Sequence, residues 1–374
     1  MSIRILSPAS LLWIFLFSCS TLPDEKLAHQ TPISLSPYVK ENVTFTSDNG
    51  ETTLAGTLTF PDNINRALPA VVLLHGTGCY NRDYVVNQHK YFLVLADFLT
   101  RNGIAVLRYD KRGCGESQGD FSQATLNDFA SDTTGAVRYL VSRKELSISH
   151  IGLIGHSEGG MVAPMAAIDN HDIDFLILLG APGLSYPENI LLSEERMAKI
   201  AGYSDDFVKQ QRTANEEIFS AVMTINDREH LVKRLTQILY ASRNQLYFLA
   251  GLEGKEFKER VQFLVGEYSS PLLINDFKGH PPSYFLRKVT CPVLAITGDR
   301  DVNVPYPEEI EAIAHALEEA NNEDVTIKIF PSLNHMLQRS ETGLPEESDD
   351  IEETIYPGVL HTIAEWIREK TSAT

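Results

Sequence analysis

Short apolar runs alternate with amphipathic stretches along most of the chain. Ala70 to Leu74 is one such run and ends in His75-Gly76; Ile104 to Leu107, Ile151 to Ile154, Phe175 to Leu179 and Val293 to Thr297 are others. Runs this short and this apolar predict strands buried on both faces, as in a parallel sheet covered on each side. Val325 to Phe330 predicts a further strand, and Val43–Thr46 with Thr53–Phe60 predicts a hairpin around Asp48-Asn49-Gly50. Helices are expected over 87–102, stopped by Asn102-Gly103, over 157–170, over 307–321 and around Trp366-Ile367. Leu126, Phe129, Thr133, Val137 and Leu140 step at helical spacing, with Thr125 and Asp128 placed as a capping pair. Strand and helix alternating in this way predict an α/β fold with a mostly parallel, doubly wound sheet.

Between 184 and 285 the alternation stops, and only helical stretches such as 191–201, 206–224 and 228–250 remain. A helical insertion after one strand of such a sheet is most simply a cap over the strand ends, where ligands bind. The expected division is 41–183 and 286–374 for the α/β domain and 184–285 for the helical cap. The apolar stretch Leu246 to Ala250 in the cap is read either as pocket lining or as plain core.

The amino terminus reads differently. Arg4 precedes the apolar run Leu11–Phe17, which ends in Ser18-Cys19. The run is too short to span a bilayer but fits the core of a signal peptide, assigned to 1–18. Leu16-Phe17-Ser18-Cys19 resembles the bacterial lipoprotein box, which implies a lipid on Cys19; a plain cleaved signal is the alternative. Residues 19–40, with Pro23, Pro32 and Pro37, are expected to be a tether. Export to the periplasm or outer membrane as a lipid-anchored protein follows, with the anchor as the only membrane contact.

Charge narrows the function further. Lys and Arg number 32 against 50 Asp and Glu, a net charge of −18, which argues against nucleic acid as a partner. The four cysteines, Cys19, Cys79, Cys114 and Cys291, have no CxxC spacing, so no metal site is expected. The segment 341–353 holds seven acids and no base.

The chemistry centres on Gly155-His156-Ser157-Glu158-Gly159-Gly160, directly after a buried strand and before a helix. This G-x-S-x-G turn exposes a serine oxygen at the start of a helix, because glycines let the chain turn that tightly. The bland alternative is a glycine-rich turn with an inert serine. A serine hydroxyl needs a base. His335, in a loop just beyond the last strand, is the favoured base over His315 and His361 on flanking helices and His280 in the cap. Gly298-Asp299-Arg300-Asp301 follows an earlier strand. Asp301, one step further beyond the strand end, is favoured as the acid over Asp299, which is expected to hydrogen-bond the turn. Two backbone donors are expected to bind a developing oxyanion: the N–H of Glu158 and that of Thr77 in the His75-Gly76-Thr77-Gly78 loop.

Together with Arg108–Ser117 (RYDKRGCGES), Asn81-Arg82-Asp83 and Gly159–Pro164, these motifs resemble the α/β-hydrolase superfamily, over about 43–183 and 286–370. They are similar to its bacterial secreted carboxylesterase and serine aminopeptidase-like branch. The resemblance implies a serine hydrolase that cleaves small carboxylic esters of short acyl chains through an acyl-enzyme, without metal or cofactor. A peptidase, aminopeptidase or acyltransferase with the same triad is the alternative, and a non-catalytic surface binding protein a remoter one. Cys79 departs from the branch, where proline or another small residue is usual. In the superfamily's strand order the strands before Cys79 and Cys114 are neighbours, which makes a Cys79–Cys114 disulfide a candidate in an exported protein.

Overall fold

The computed structural model describes residues 30–32, 37–62 and 67–372. The strands β1 (Tyr38–Thr46) and β2 (Thr53–Pro61) form the expected hairpin. Then follow β3 (Leu68–Leu74), a short ribbon of β4 (Val85–Val86) and β5 (His89–Lys90), α1 (Tyr91–Arg101), β6 (Ala105–Tyr109), α2 (Leu126–Ser142), β7 (Ile148–His156), α3 (Glu158–Ala167) and β8 (Phe175–Leu179). The insertion comprises α4 (Tyr186–Ile200), α5 (Asp205–Thr224), α6 (Arg228–Ala241), α7 (Gly254–Tyr268), α8 (Pro271–Lys278) and α9 (Pro282–Leu286). The chain returns through β9 (Val293–Gly298), α10 (Glu308–Glu319), β10 (Val325–Phe330) and α11 (Pro357–Thr371).

Eight strands form one sheet in the order β1-β2-β6-β3-β7-β8-β9-β10, and β2 alone runs against the others. Alternation along each strand sends side chains to two separate cores. Val72, Leu107, Leu153 and Leu178 pack on one face with residues of α2, α3 and α10. Val71, Leu73, Ile154 and Ile177 pack on the other with residues of α1 and α11. This is an α/β-hydrolase fold, doubly wound and mostly parallel. The helix α2 starts with the expected capping box: Asp128 N–H donates to Thr125 Oγ1 at 3.3 Å, and Thr125 N–H donates to Asp128 Oδ2 at 2.9 Å.

The insertion has its own core, built from Ile218, Val222, Leu235, Leu239 and their neighbours. Leu246 and Leu249 belong to that core, while Phe248 lines the cavity below it. Glu309, buried at the start of α10, fastens the entry to the insertion. Its carboxylate accepts from the N–H groups of Gly183 and Leu184 at 2.7 and 2.8 Å and from Asn189 Nδ2 at 2.9 Å.

Three boundaries differ from those expected. Asn87 and Gln88 adopt φ of +49° and +66°, which turns the chain between β4 and β5 and delays α1 to Tyr91. The stretch 228–250 is helical only to Ala241. The expected tether 19–40 already joins the fold before its end: β1 starts at Tyr38, and Gln30 is clamped against the chain before α11. Its Nε2 donates to Ile355 O at 2.8 Å, and its Oε1 accepts from Thr354 and Ile355 N–H at 2.7 and 2.9 Å. The signal peptide 1–18 and Cys19 lie outside the described residues.

Candidate active site

The strand β7 runs straight into Ser157, and α3 begins at the next residue. Ser157 has φ +53° and ψ −119°, a conformation that costs an L-residue about 1–3 kcal/mol. The packing around it enforces the turn. A Cβ on Gly155 would lie 2.1 Å from Gly159 O, so no side chain fits there. Ser157 N–H donates to Leu179 O at 2.9 Å, and Gly160 N–H donates to Ser157 O at 2.8 Å.

His335 sits in the loop after β10. Its Nδ1 is 2.8 Å from Asp301 Oδ2. Asp301 is 1% exposed, and its other oxygen accepts from Asn303 and Val304 N–H at 3.0 and 2.8 Å. The carboxylate oxygen facing the ring accepts, so His335 carries its hydrogen on Nδ1, which leaves Nε2 as the basic nitrogen. Gly180, φ +50° at the end of β8, allows this close packing: a Cβ there would lie 3.2 Å from both Asp301 Oδ2 and His335 Nδ1. Asp299 does what the sequence suggests, accepting from Ser332 N–H at 2.6 Å to hold the turn before His335.

Ser157, His335, Thr77 and Glu158 all line one cavity of about 200 Å³ between the sheet and the insertion. Met161, Ile190, Phe248 and Leu264 supply apolar wall. Glu194, Glu267 and Asp276 bring carboxyls to the same cavity. Burial pushes Glu194 and Glu267 up to about 7. Burial, then the nearby Glu158, pushes Asp276 well above the usual carboxylate range. Asp276 Oδ1 has no hydrogen-bond partner. Part of the acidic segment 341–353 is tied down. Glu347 gathers Glu341 N–H at 2.9 Å and Thr342 N–H at 2.8 Å, and Glu353 pairs with Arg339 at 2.9 Å.

Several supporting residues carry no role in the sequence reading. His156 accepts from or donates to Tyr84 Oη at 3.1 Å through Nδ1, and its Nε2 lies 3.0 Å from the carbonyl of His335. That carbonyl accepts only, so Nε2 carries the hydrogen and Nδ1 accepts from the tyrosine. Burial, then His335, lowers the pKa of His156 to about 3, so the ring is neutral and ties the serine strand to the His335 loop. Arg82 grips Asp110 through two nitrogens, at 3.0 and 2.6 Å, and so binds the loop after β3 to the loop after β6. Lys111 forms a buried pair with Glu158. Buried pairs of this kind join loops far apart in sequence, and no local spacing announces them.

The same two loops are joined covalently. Cys79 and Cys114, in the loops that follow the neighbouring strands β3 and β6, form a disulfide with Cα atoms 5.5 Å apart. The bridge spans 35 residues, and a loop of that length is worth about 2–4 kcal/mol of stability. Cys79→Ser with Cys114→Ser is therefore expected to lower the unfolding free energy by about that amount in denaturant titrations. Peptide mapping without reductant should recover the two segments linked; an alkylatable Cys79 in protein purified without reductant would rule the bridge out.

Known proteins resemble this chain. The chain is 26% identical over 314 residues to esterase EstD of Thermotoga maritima, across 83% of this chain and 65% of that protein's length. It is 31% identical over 103 residues to a proline iminopeptidase of Lactobacillus helveticus, covering 28% of this chain and 32% of the other. Among solved structures, an esterase of Pyrococcus furiosus superposes with a TM-score of 0.52 at 15% identity, over 89% of this chain and 91% of that one. The proline iminopeptidase of Mycobacterium smegmatis superposes with a TM-score of 0.51 at 18% identity, over 89% and 99%. These two share the fold. Residues 265–353 match the prolyl oligopeptidase family. Residues 66–274, more than half of the chain, match the serine aminopeptidase, S33 family, and the chain belongs to that family of hydrolases.

Proposed function

We propose that the protein is a serine carboxylesterase acting on small esters of short acyl chains. The observation that carries this reading is the Asp301–His335 hydrogen bond of 2.8 Å beside a cavity that Ser157 also lines. Ser157 Oγ attacks the ester carbonyl while His335 Nε2 takes its proton. Asp301 holds the imidazole and stabilises its charged form. The N–H groups of Thr77 and Glu158 bind the oxyanion of the tetrahedral intermediate. The intermediate collapses to an acyl-Ser157 as His335 returns the proton to the departing alcohol. Water, deprotonated by His335, then attacks the acyl carbonyl and releases the acid. The relationship to esterase EstD and the apolar cavity wall support an ester substrate. Labelling with a fluorophosphonate and hydrolysis of p-nitrophenyl acetate are expected. Absence of both would end the reading.

A second reading has a specific observation behind it. Glu194, Glu267 and Asp276 face the cavity and would suit a substrate with a free amine, as an aminopeptidase takes. Faster cleavage of an aminoacyl-anilide than of p-nitrophenyl acetate would favour it. The resting charge of these acids is separately testable. Glu194 has a folded pKa near 7 against an ordinary 4.5, so it contributes stability below pH 4.5 that is lost as pH rises through 7. Glu194→Gln stays neutral and keeps an acceptor for Asn215. It is expected to match the wild type below about pH 4 and to be more stable by up to about 3 kcal/mol at pH 8. Denaturant titrations at the two pH values check this; the same difference at both would refute it.

We also propose that Cys19 carries a lipid and tethers the exported enzyme to a membrane, on the strength of the apolar run ending at Ser18-Cys19. Metabolic labelling with a fatty-acid analogue should mark the wild type and miss Cys19→Ala. No label on the wild type would leave only a cleaved signal.

A further inference from the structure

Lys111 follows β6, and its side chain is 6% exposed. Its ammonium reaches two acceptors on different loops: Gly76 O at 3.0 Å and Glu158 Oε1 at 2.5 Å. It also lies 4.3 Å over the Phe129 ring. Both polar contacts fall on the segments that carry the two backbone donors of the proposed esterase. The carbonyl of Gly76 and the N–H of Thr77 belong to one peptide unit. In a planar trans peptide these two groups point in opposite directions. A cation that holds Gly76 O therefore turns the Thr77 N–H away from itself, and Thr77 lines the cavity. A hydrogen bond accepted by a peptide carbonyl also polarises the N–H of the same unit and strengthens it as a donor. Through Glu158, the same ammonium fixes the first residue of α3, whose own N–H is the second donor.

We infer that Lys111 is the positioning residue of the oxyanion hole, setting the direction of the Thr77 and Glu158 N–H groups from behind. This rests on the serine-hydrolase reading of the cavity. Lys111 does not touch the substrate; it acts through the Gly76–Thr77 peptide and through Glu158. The disulfide Cys79–Cys114 and the hydrogen bond from Lys111 N–H to Tyr80 O at 3.1 Å hold the same two loops together, so the lysine works on a rigid frame.

The test uses the full chain and p-nitrophenyl acetate. Removing Lys111 alone would strand a buried carboxylate and risk the fold, so the main variant is Lys111→Met with Glu158→Gln, which removes both charges together. It is expected to melt close to the wild type, to keep KM within about three-fold, and to lose about 100-fold in kcat, the scale of a lost oxyanion donor. Affinity for a boronic acid that forms a tetrahedral adduct on Ser157 should fall in parallel. A purely structural ion pair would not separate kcat from KM. A folded double variant with kcat within three-fold of the wild type overturns the inference. If the double variant does not fold, Lys111→Arg decides. It keeps the buried cation but shifts the donor nitrogens, and is expected to lose about ten-fold in kcat at unchanged KM; full activity overturns the inference. Failure of the wild type both to hydrolyse the ester and to take a fluorophosphonate label would instead refute the serine-hydrolase reading, and this role with it.

Discussion

Ser157→Ala is expected to lower ester turnover by about 10⁴-fold or more, because the attacking atom is removed and no neighbouring group can replace it. The fold should survive. The hydrogen bonds at this turn are made by the backbone of Ser157, through its N–H to Leu179 O and its carbonyl from Gly160 N–H, and alanine keeps both. The unusual φ of +53° is no more costly for alanine than for serine. Melting temperature is therefore expected to stay within a degree or two while fluorophosphonate labelling disappears. The residual rate should still exceed the uncatalysed one, since the donors of Thr77 and Glu158 and the cavity remain. Turnover above a tenth of the wild type would remove Ser157 from the role of nucleophile.

The parts of this molecule that were legible in its sequence are those fixed by burial and by backbone sterics. Ala70–Leu74, Ile151–Ile154 and Phe175–Leu179 read as strands because residues buried on both faces of a sheet must be apolar in unbroken succession. Gly155 marks the turn because a Cβ there would meet the backbone of Gly159. Its place in a loop just beyond the last strand then separates His335 from His315 and His361, which fall on helices. The turn at Asn87 and Gln88 escaped notice because neither residue interrupts a helical pattern as glycine or proline does. Nothing in the sequence joins the Lys111 ammonium to the Glu158 carboxylate, since their pairing spans two loops far apart along the chain. Helical period reveals the helices of the insertion but not which of its faces covers the cavity. For that reason Glu194, Glu267 and Asp276 carry no meaning until the fold brings them to one wall.

The second large effect separates two aspartates that lie two residues apart. Asp301→Asn is expected to reduce kcat by about 10⁴-fold, and Asp299→Asn to change it by less than about three-fold. The difference lies in which atom each carboxylate serves. Asp301 Oδ1 accepts from Asn303 and Val304 N–H, so an asparagine would keep its carbonyl oxygen there and present its NH₂ to His335. A donor facing Nδ1 forces the imidazole into the tautomer with hydrogen on Nε2. That nitrogen then cannot take the proton of Ser157. The charge that would stabilise the imidazolium is lost in the same step. Asp299 is exposed, and the contact it makes is with Ser332 N–H at 2.6 Å, which an asparagine oxygen can accept equally well. Steady-state kinetics of the two purified variants, with circular dichroism to verify folding, decide between them. If Asp299→Asn proves the more damaging, the carboxylate that orients His335 is Asp299, and the 2.8 Å contact from Asp301 is incidental to the chemistry.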